Sequence, residues 1–198
     1  MGISNVARPP PALVAKVRAA LDALPRGQLL PGPEWHRRHN LLVVVLALHA
    51  FGIGVFALAK GLPVWHVMVE AGAPAVCAAL ACVGQFERRV RASIVALGLI
   101  TCSAVLTHLS GGVIEMHFHF FVSLALITLY QEWVPFLMAV AYVVLHHGVV
   151  GVLEPASVYN HPDAIAHPWR WALIHGVFVA GAAAAYILQW RLNEDIRD

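Results

Sequence analysis

Six apolar runs punctuate the chain, at about Leu41 to Ala59, Val64 to Val83, Ala92 to Leu109, Val113 to Tyr130, Val134 to Leu153 and Trp171 to Trp190. Each is close to the ~20 residues a helix needs to cross about 30 Å of hydrocarbon. Glycine, proline and charged residues separate them. The pattern predicts an all-α polytopic membrane protein with six transmembrane helices.

The residues before the first run read differently. Pro9, Pro10 and Pro11 precede an amphipathic stretch from Leu13 to Leu24, with Lys16 and Arg18 on its polar side. Such a stretch suits a membrane surface. Pro25, Gly27, Pro31, Gly32 and Pro33 then break it. The expected organisation is a lead-in over residues 1–35, a six-helix membrane sensory domain over 36–190, and a segment 191–198. That last segment reads as the start of a signalling helix or as a tail.

Lysine and arginine set the orientation. Arg8, Lys16, Arg18, Arg26, Arg37 and Arg38 precede the first run, Arg88, Arg89 and Arg91 follow the second, and Arg191 and Arg197 follow the sixth. Six crossings put these on one side and leave only Lys60 and Arg170 on the other, so both termini are expected in the cytoplasm. Tryptophans 35, 65, 133, 169, 171 and 190 sit at run ends, as an interfacial belt would.

Composition agrees. Of 198 residues, 60% are hydrophobic and 12% charged, where a soluble domain is about half apolar and about a quarter charged. This is one membrane domain, with the lipid bilayer as its surroundings and the bacterial inner membrane as its expected location. A net charge of +2 with no scattered cationic face excludes nucleic acid as a partner. Cys77, Cys82 and Cys102 lack metal or disulfide spacing and read as small buried apolar residues. The first forty residues lack the apolar core of a signal peptide. Ser110-Gly111-Gly112 is a tight turn, not a phosphate loop. Gly176 and Gly181 with Ala180 and Ala182 to Ala185 form a small-residue face suited to close helix contact, within the chain or in a homodimer.

The twelve histidines carry the remaining signal. His36 and His39 fall on the cytoplasmic side and are expected to be solvated or headgroup-facing. His49 falls near mid-depth. The rest sort to the outer side: His66 and Glu70 in the second run, His108 at the end of the third, Glu115, His117 and His119 at the start of the fourth, His146 and His147 in the fifth, His161 and His167 in the loop after it, and His175 in the sixth. Ionisable groups in hydrocarbon are costly unless they pair, ligate or line a cavity. Imidazole and carboxylate together form a ligand set for iron, copper or zinc. The expected metal ligands are His66, Glu70, His108, Glu115, His117, His119, His146, His147, His161 and His175. The expected cofactor is a polynuclear transition-metal centre, iron or copper first and zinc after them. A haem would use only one or two of these histidines. His66 with Glu70, and Glu115 with His119, are four apart and share a helix face, whereas His117 points the opposite way. Adjacent His146 and His147 share a target only if the helix is distorted.

Five segments resemble a known family: HLSGGVIEMHFHFFV at 108–122, YQEW at 130–133, VVLHHGVVG at 143–151, VYNH at 158–161 and WALIH at 171–175. They are similar to the membrane-embedded input region that precedes histidine kinase, diguanylate cyclase or chemoreceptor modules in bacterial signalling proteins. The resemblance covers roughly residues 35–195. It implies a sensory role coupled to a cytoplasmic module, and it points to His108, Glu115, His117, His119, His146, His147, His161 and His175. Met116-His117-Phe118 is distantly similar to Met-His-Tyr motifs of a copper-binding class of membrane sensors.

Two function classes follow from the metal. One is a sensor whose His/Glu site near the periplasmic face detects oxygen, nitric oxide, redox state or metal and signals through the sixth helix. The other is a membrane metalloenzyme, an iron or copper oxidase or a zinc hydrolase, using an open metal position. A transporter would need polar groups at mid-depth and at both faces, and the inner halves of the runs are nearly apolar.

Overall fold

The computed structural model describes residues 10–27 and 29–197. Arg8 and Pro9 lie outside them. The described residues form helices and no strand: α1 Pro11–Asp22, α2 Gly32–Ala59, α3 Val64–Ala81, α4 Arg88–Ser110, α5 Ile114–Thr128, α6 Trp133–Leu153, α7 Pro155–Val158, α8 Pro162–Ala166 and α9 Pro168–Arg197. Five of these, α2, α3, α4, α6 and α9, are long and apolar enough to cross a membrane. The fourth run yields only the 15-residue α5. The glycine turn before it and the bend at Leu129 to Glu132 after it take residues from both ends.

Prolines open several helices where no backbone donor is needed: Pro33 in α2, Pro155, Pro162 and Pro168. The lead-in forms α1, with Lys16 and Arg18 exposed. The expected boundary at residue 36 falls inside α2, and that at 190 falls inside α9, which runs on to Arg197.

α4 is the hub. Val95, Ala96, Leu99, Ile100 and Cys102 are fully buried against α2, α3, α5 and α6. Gly98 makes this possible, because a Cβ there would lie 2.7 Å from Leu46 and 2.8 Å from Cys77. α9 lies at the edge, with only Val179, Trp190 and Glu194 buried. On its small-residue face the glycines have room to spare: among the described residues a Cβ on Gly176 or Gly181 has no neighbour within 4 Å. Cys102 is buried as expected and Cys77 partly so, but Cys82 is exposed.

The turn between α4 and α5 is held by glycine. Gly111 and Gly112 have φ of +74° and +77°. The Gly111 N–H donates to His108 O and the Gly112 N–H to Thr107 O, both at 2.9 Å, which is the two-bond Schellman closure of a helix. Gly112 also touches the loop after α7, since a Cβ there would lie 2.6 Å from the backbone of Tyr159. Gly112→Ala therefore meets both a left-handed φ, costing about 1–2 kcal/mol, and a clash with main chain. The expected result is a loss of stability larger than the φ term alone, read as a fall in thermal unfolding temperature in detergent. Gly111→Ala, with open space around it, pays only the φ term.

The arginine-bearing end of the bundle contains an unexpected buried histidine. His39 is fully buried rather than solvated. Its Nδ1 lies 2.8 Å from the Tyr130 hydroxyl and its Nε2 3.1 Å from Ala81 O, and its ring stacks on Trp35 at 4.5 Å. Arg88 and Arg91 cover the other face of this cluster, 5.5 and 5.2 Å from the Trp35 ring. Burial pushes the Tyr130 hydroxyl well above its ordinary range, so it stays a neutral partner. Two satisfied ring nitrogens and a stacked indole make His39 a packing residue. His36, by contrast, is exposed.

Candidate metal centre

At the opposite end, three imidazoles from three helices meet. His117 comes from α5, His147 from α6 and His175 from α9. Their ring centroids form a nearly equilateral triangle, at 5.4 Å (117–147), 5.2 Å (117–175) and 5.3 Å (147–175). His117 and His147 are 4% exposed.

Each ring is held the same way. Nδ1 donates to the carbonyl one turn back in its own helix: Val113 O at 3.1 Å, Val143 O at 3.0 Å and Trp171 O at 2.8 Å. A carbonyl only accepts, so the proton sits on Nδ1. Nε2 is then the nitrogen with the free lone pair in all three. Nε2 of His117 is buried with no hydrogen-bond partner. Leaving a buried polar atom unpaired costs about 1–3 kcal/mol, and the Val158 backbone also lies within reach of this ring.

α6 delivers His147 through a distortion. Residues His146–Val150 form a π turn within the helix. In a regular helix adjacent side chains diverge by about 100°, and the wider turn relaxes that. The His146 and His147 rings lie 5.1 Å apart, edge to face. His146 packs against Phe120 at 5.4 Å, and its Nδ1 is also buried without a partner. Tyr159 closes the centre from the loop. Its ring lies parallel to His117 at 6.3 Å and its hydroxyl donates to His147 O at 3.4 Å. Burial pushes that hydroxyl up to about 12, so it remains protonated.

Two further groups surround this one. His66 and Glu70 on α3 meet His108 at the end of α4. Glu70 Oε1 lies 3.1 Å from His66 Nε2 and 3.7 Å from His108 Nε2. Among the described residues this is the group of three whose donor atoms all lie within 4.8 Å of one another. The second group is deeper. His119 lies 4.9 Å from His49, ring to ring. Its Nδ1 is 2.8 Å from Ser103 Oγ, which in turn is 2.9 Å from Ser123 Oγ, and its Nε2 is buried and unpartnered.

The expected ligands thus divide. His117, His147 and His175 come together, with His146 beside them. His66, Glu70 and His108 come together separately. His119 joins His49 instead. Glu115 is exposed in the first turn of α5 and makes no ion pair among the described residues. His161 caps α8, its Nδ1 accepting the Ala164 N–H at 3.3 Å, with its ring edge on Trp171 at 4.3 Å. His167 is exposed at the other end of α8.

With this geometry in view, comparison with known proteins is informative. The chain is similar to a halobacterial transducer protein. Transducer protein Htr8 of Halobacterium salinarum is 38% identical over 198 residues, an alignment covering 94% of this chain and 31% of that protein. The chain therefore spans about a third of the relative's length. No family model matches the chain, and no solved structure matches it.

Proposed function

We propose that this chain is a transmembrane sensory domain that holds transition metal at the histidine-rich end of its bundle. The similarity to a transducer protein supports the sensory reading, and the five crossing helices support a membrane setting. The three-imidazole triangle supports the metal. Three rings from three helices converge there; their Nδ1–carbonyl bonds fix tautomer and orientation but are shared by His36 and His49.

In this reading α5 is a sixth, short crossing, both termini lie in the cytoplasm, and the histidine end faces the periplasm of a bacterial inner membrane. In that arrangement His117, His147 and His175 hold iron or copper, which imidazole suits. These three are not among the described groups whose donor atoms lie within 4.8 Å of one another, so metal binding requires the rings to close inward on the ion. His66, Glu70 and His108 form a two-histidine, one-carboxylate set that holds a second ion nearer the surface, making the assembly polynuclear. A change at the centre, from a diatomic gas, redox state or metal supply, moves His175 and with it α9. α9 carries that shift to a cytoplasmic signalling module, a kinase or cyclase, which biases a two-state element. The small-residue face of α9, with open space at Gly176 and Gly181 among the described residues, is the contact for a second copy.

The test is elemental analysis of protein purified in detergent, with absorption and electron paramagnetic resonance spectra before and after reduction. Stoichiometric iron or copper with a histidine-ligated spectrum is expected. Protein that folds and purifies with only trace metal, and takes up none from solution, overturns the reading.

A further inference from the structure

One histidine pair stands outside both the triangle and the His66–Glu70–His108 group. His49 of α2 and His119 of α5 meet beside α4, on which both helices pack, with ring centres 4.9 Å apart. Both rings are oriented through Nδ1. His49 Nδ1 donates to Val45 O at 2.7 Å, one turn back in its own helix, so its Nε2 carries the lone pair. His119 Nδ1 lies 2.8 Å from Ser103 Oγ, which is 2.9 Å from Ser123 Oγ, which is 3.2 Å from Leu99 O. A carbonyl only accepts. With these three contacts made, Ser123 gives its proton to Leu99 O, Ser103 gives its own to Ser123, and His119 Nδ1–H supplies the bond to Ser103. The lone pair of His119 is thus on Nε2, an atom buried without a hydrogen-bond partner.

Distance and donor type select the ion. With metal–nitrogen bonds of about 2.0–2.1 Å, imidazoles on opposite sides of an ion stand about 6 Å apart between ring centres, and a tetrahedral pair about 5 Å. The observed 4.9 Å admits a bent pair on one ion and leaves no room for a haem plane between the rings. Both ligands are neutral, so the ion keeps its whole charge within the bundle. The cost of taking an ion out of water rises with the square of its charge, which favours a monovalent ion over a divalent one. Met116 lies three residues before His119 in α5, on the same side of the helix, and a thioether is a soft ligand that selects cuprous ion. We infer that His49 and His119 form a copper(I) site that ties α2 to α5, with Ser103 orienting His119 and Met116 beside it on α5. The site stands apart from the triangle and does not depend on metal there.

Titration of the metal-depleted chain with copper(I), under reducing conditions and against the chelator bicinchoninate, tests it. His49→Phe and His119→Phe, which keep an aromatic ring in place, are each expected to lose the same single equivalent of copper(I). The double variant is expected to lose no second one. Ser103→Ala is expected to weaken that equivalent by about 10–100-fold, the size found for outer partners of metal ligands. If His119→Phe does not fold, His49→Phe, whose Nδ1 bond lies within its own helix, and Ser103→Ala decide. Copper(I) uptake unchanged in the histidine variants overturns the proposal, and so does a loss confined to one of them when both fold. Zinc(II) lost to the same extent in the two variants overturns the choice of ion. Failure of the metal reading of the triangle shows instead as unchanged binding in His147→Ala with the copper(I) equivalent still lost in His49→Phe, which leaves this site standing.

Discussion

Alanine at any one of His117, His147 or His175 is expected to weaken metal binding by at least about 100-fold, and the triple variant is expected to lose little more. Outer partners of metal ligands already account for 10–100-fold, and a direct ligand accounts for no less. Residues that act as a unit do not add: with one imidazole gone, the other two form a two-ligand site. His147 is the most sensitive position, because it is as buried as His117 and its helix also carries the π turn there. Glu115→Gln and His167→Ala are expected to change nothing, since both side chains are exposed and apart from the triangle. His108→Ala removes only a partner of Glu70 and affects only the second ion. Competition titration against a chelator measures all of these. Unchanged affinity in His147→Ala would place the metal elsewhere.

Much of this architecture is legible in the sequence. Local pattern fixes the helices, and proline and glycine fix their ends. Pro63 precedes α3, Gly111 and Gly112 close α4, and Pro168 opens α9. The opposite directions of His117 and His119 follow from about 100° per residue, and α5 sends one to the triangle and the other to His49. Adjacent His146 and His147 can share a target only in a distorted helix, and a π turn begins at His146. What the sequence withholds is distance between helices. Glu70 lies nearer His66 in sequence than His108, yet it serves both. Nothing local to His49 announces His119. His39 sits among arginines and looks solvated, but its burial depends on Trp35, Tyr130 and Ala81, which α2, the α5–α6 bend and α3 bring together.

The other large effect is expected at Glu194, near the end of α9. The residue is 1% exposed, and among the described residues its carboxylate accepts the Arg26 N–H at 2.7 Å, the Gly27 N–H at 2.9 Å and the Trp190 indole N–H at 2.9 Å. Trp133 backs this up, donating to Pro25 O at 3.1 Å and packing on Trp190 at 4.9 Å. The segment before α2 is thereby tied to α9 across 167 residues of sequence. Glu194→Ala leaves at least these donors without that acceptor, and each hydrogen bond to a charged group contributes about 1.5–3 kcal/mol. Water reaches some of them once the segment loosens, so the net loss is expected at about 3 kcal/mol. Glu194→Gln keeps one carbonyl oxygen and is expected to lose about half as much. Hydrogen exchange at Arg26 and Gly27, with thermal unfolding alongside, separates the outcomes. Protection at those amides unchanged in Glu194→Ala would show that apolar packing of Trp133 on Trp190 holds the segment by itself. If the tie does hold, α9 cannot slide alone: any shift begun at His175 must either break the Glu194 contacts or carry the segment before α2 with it.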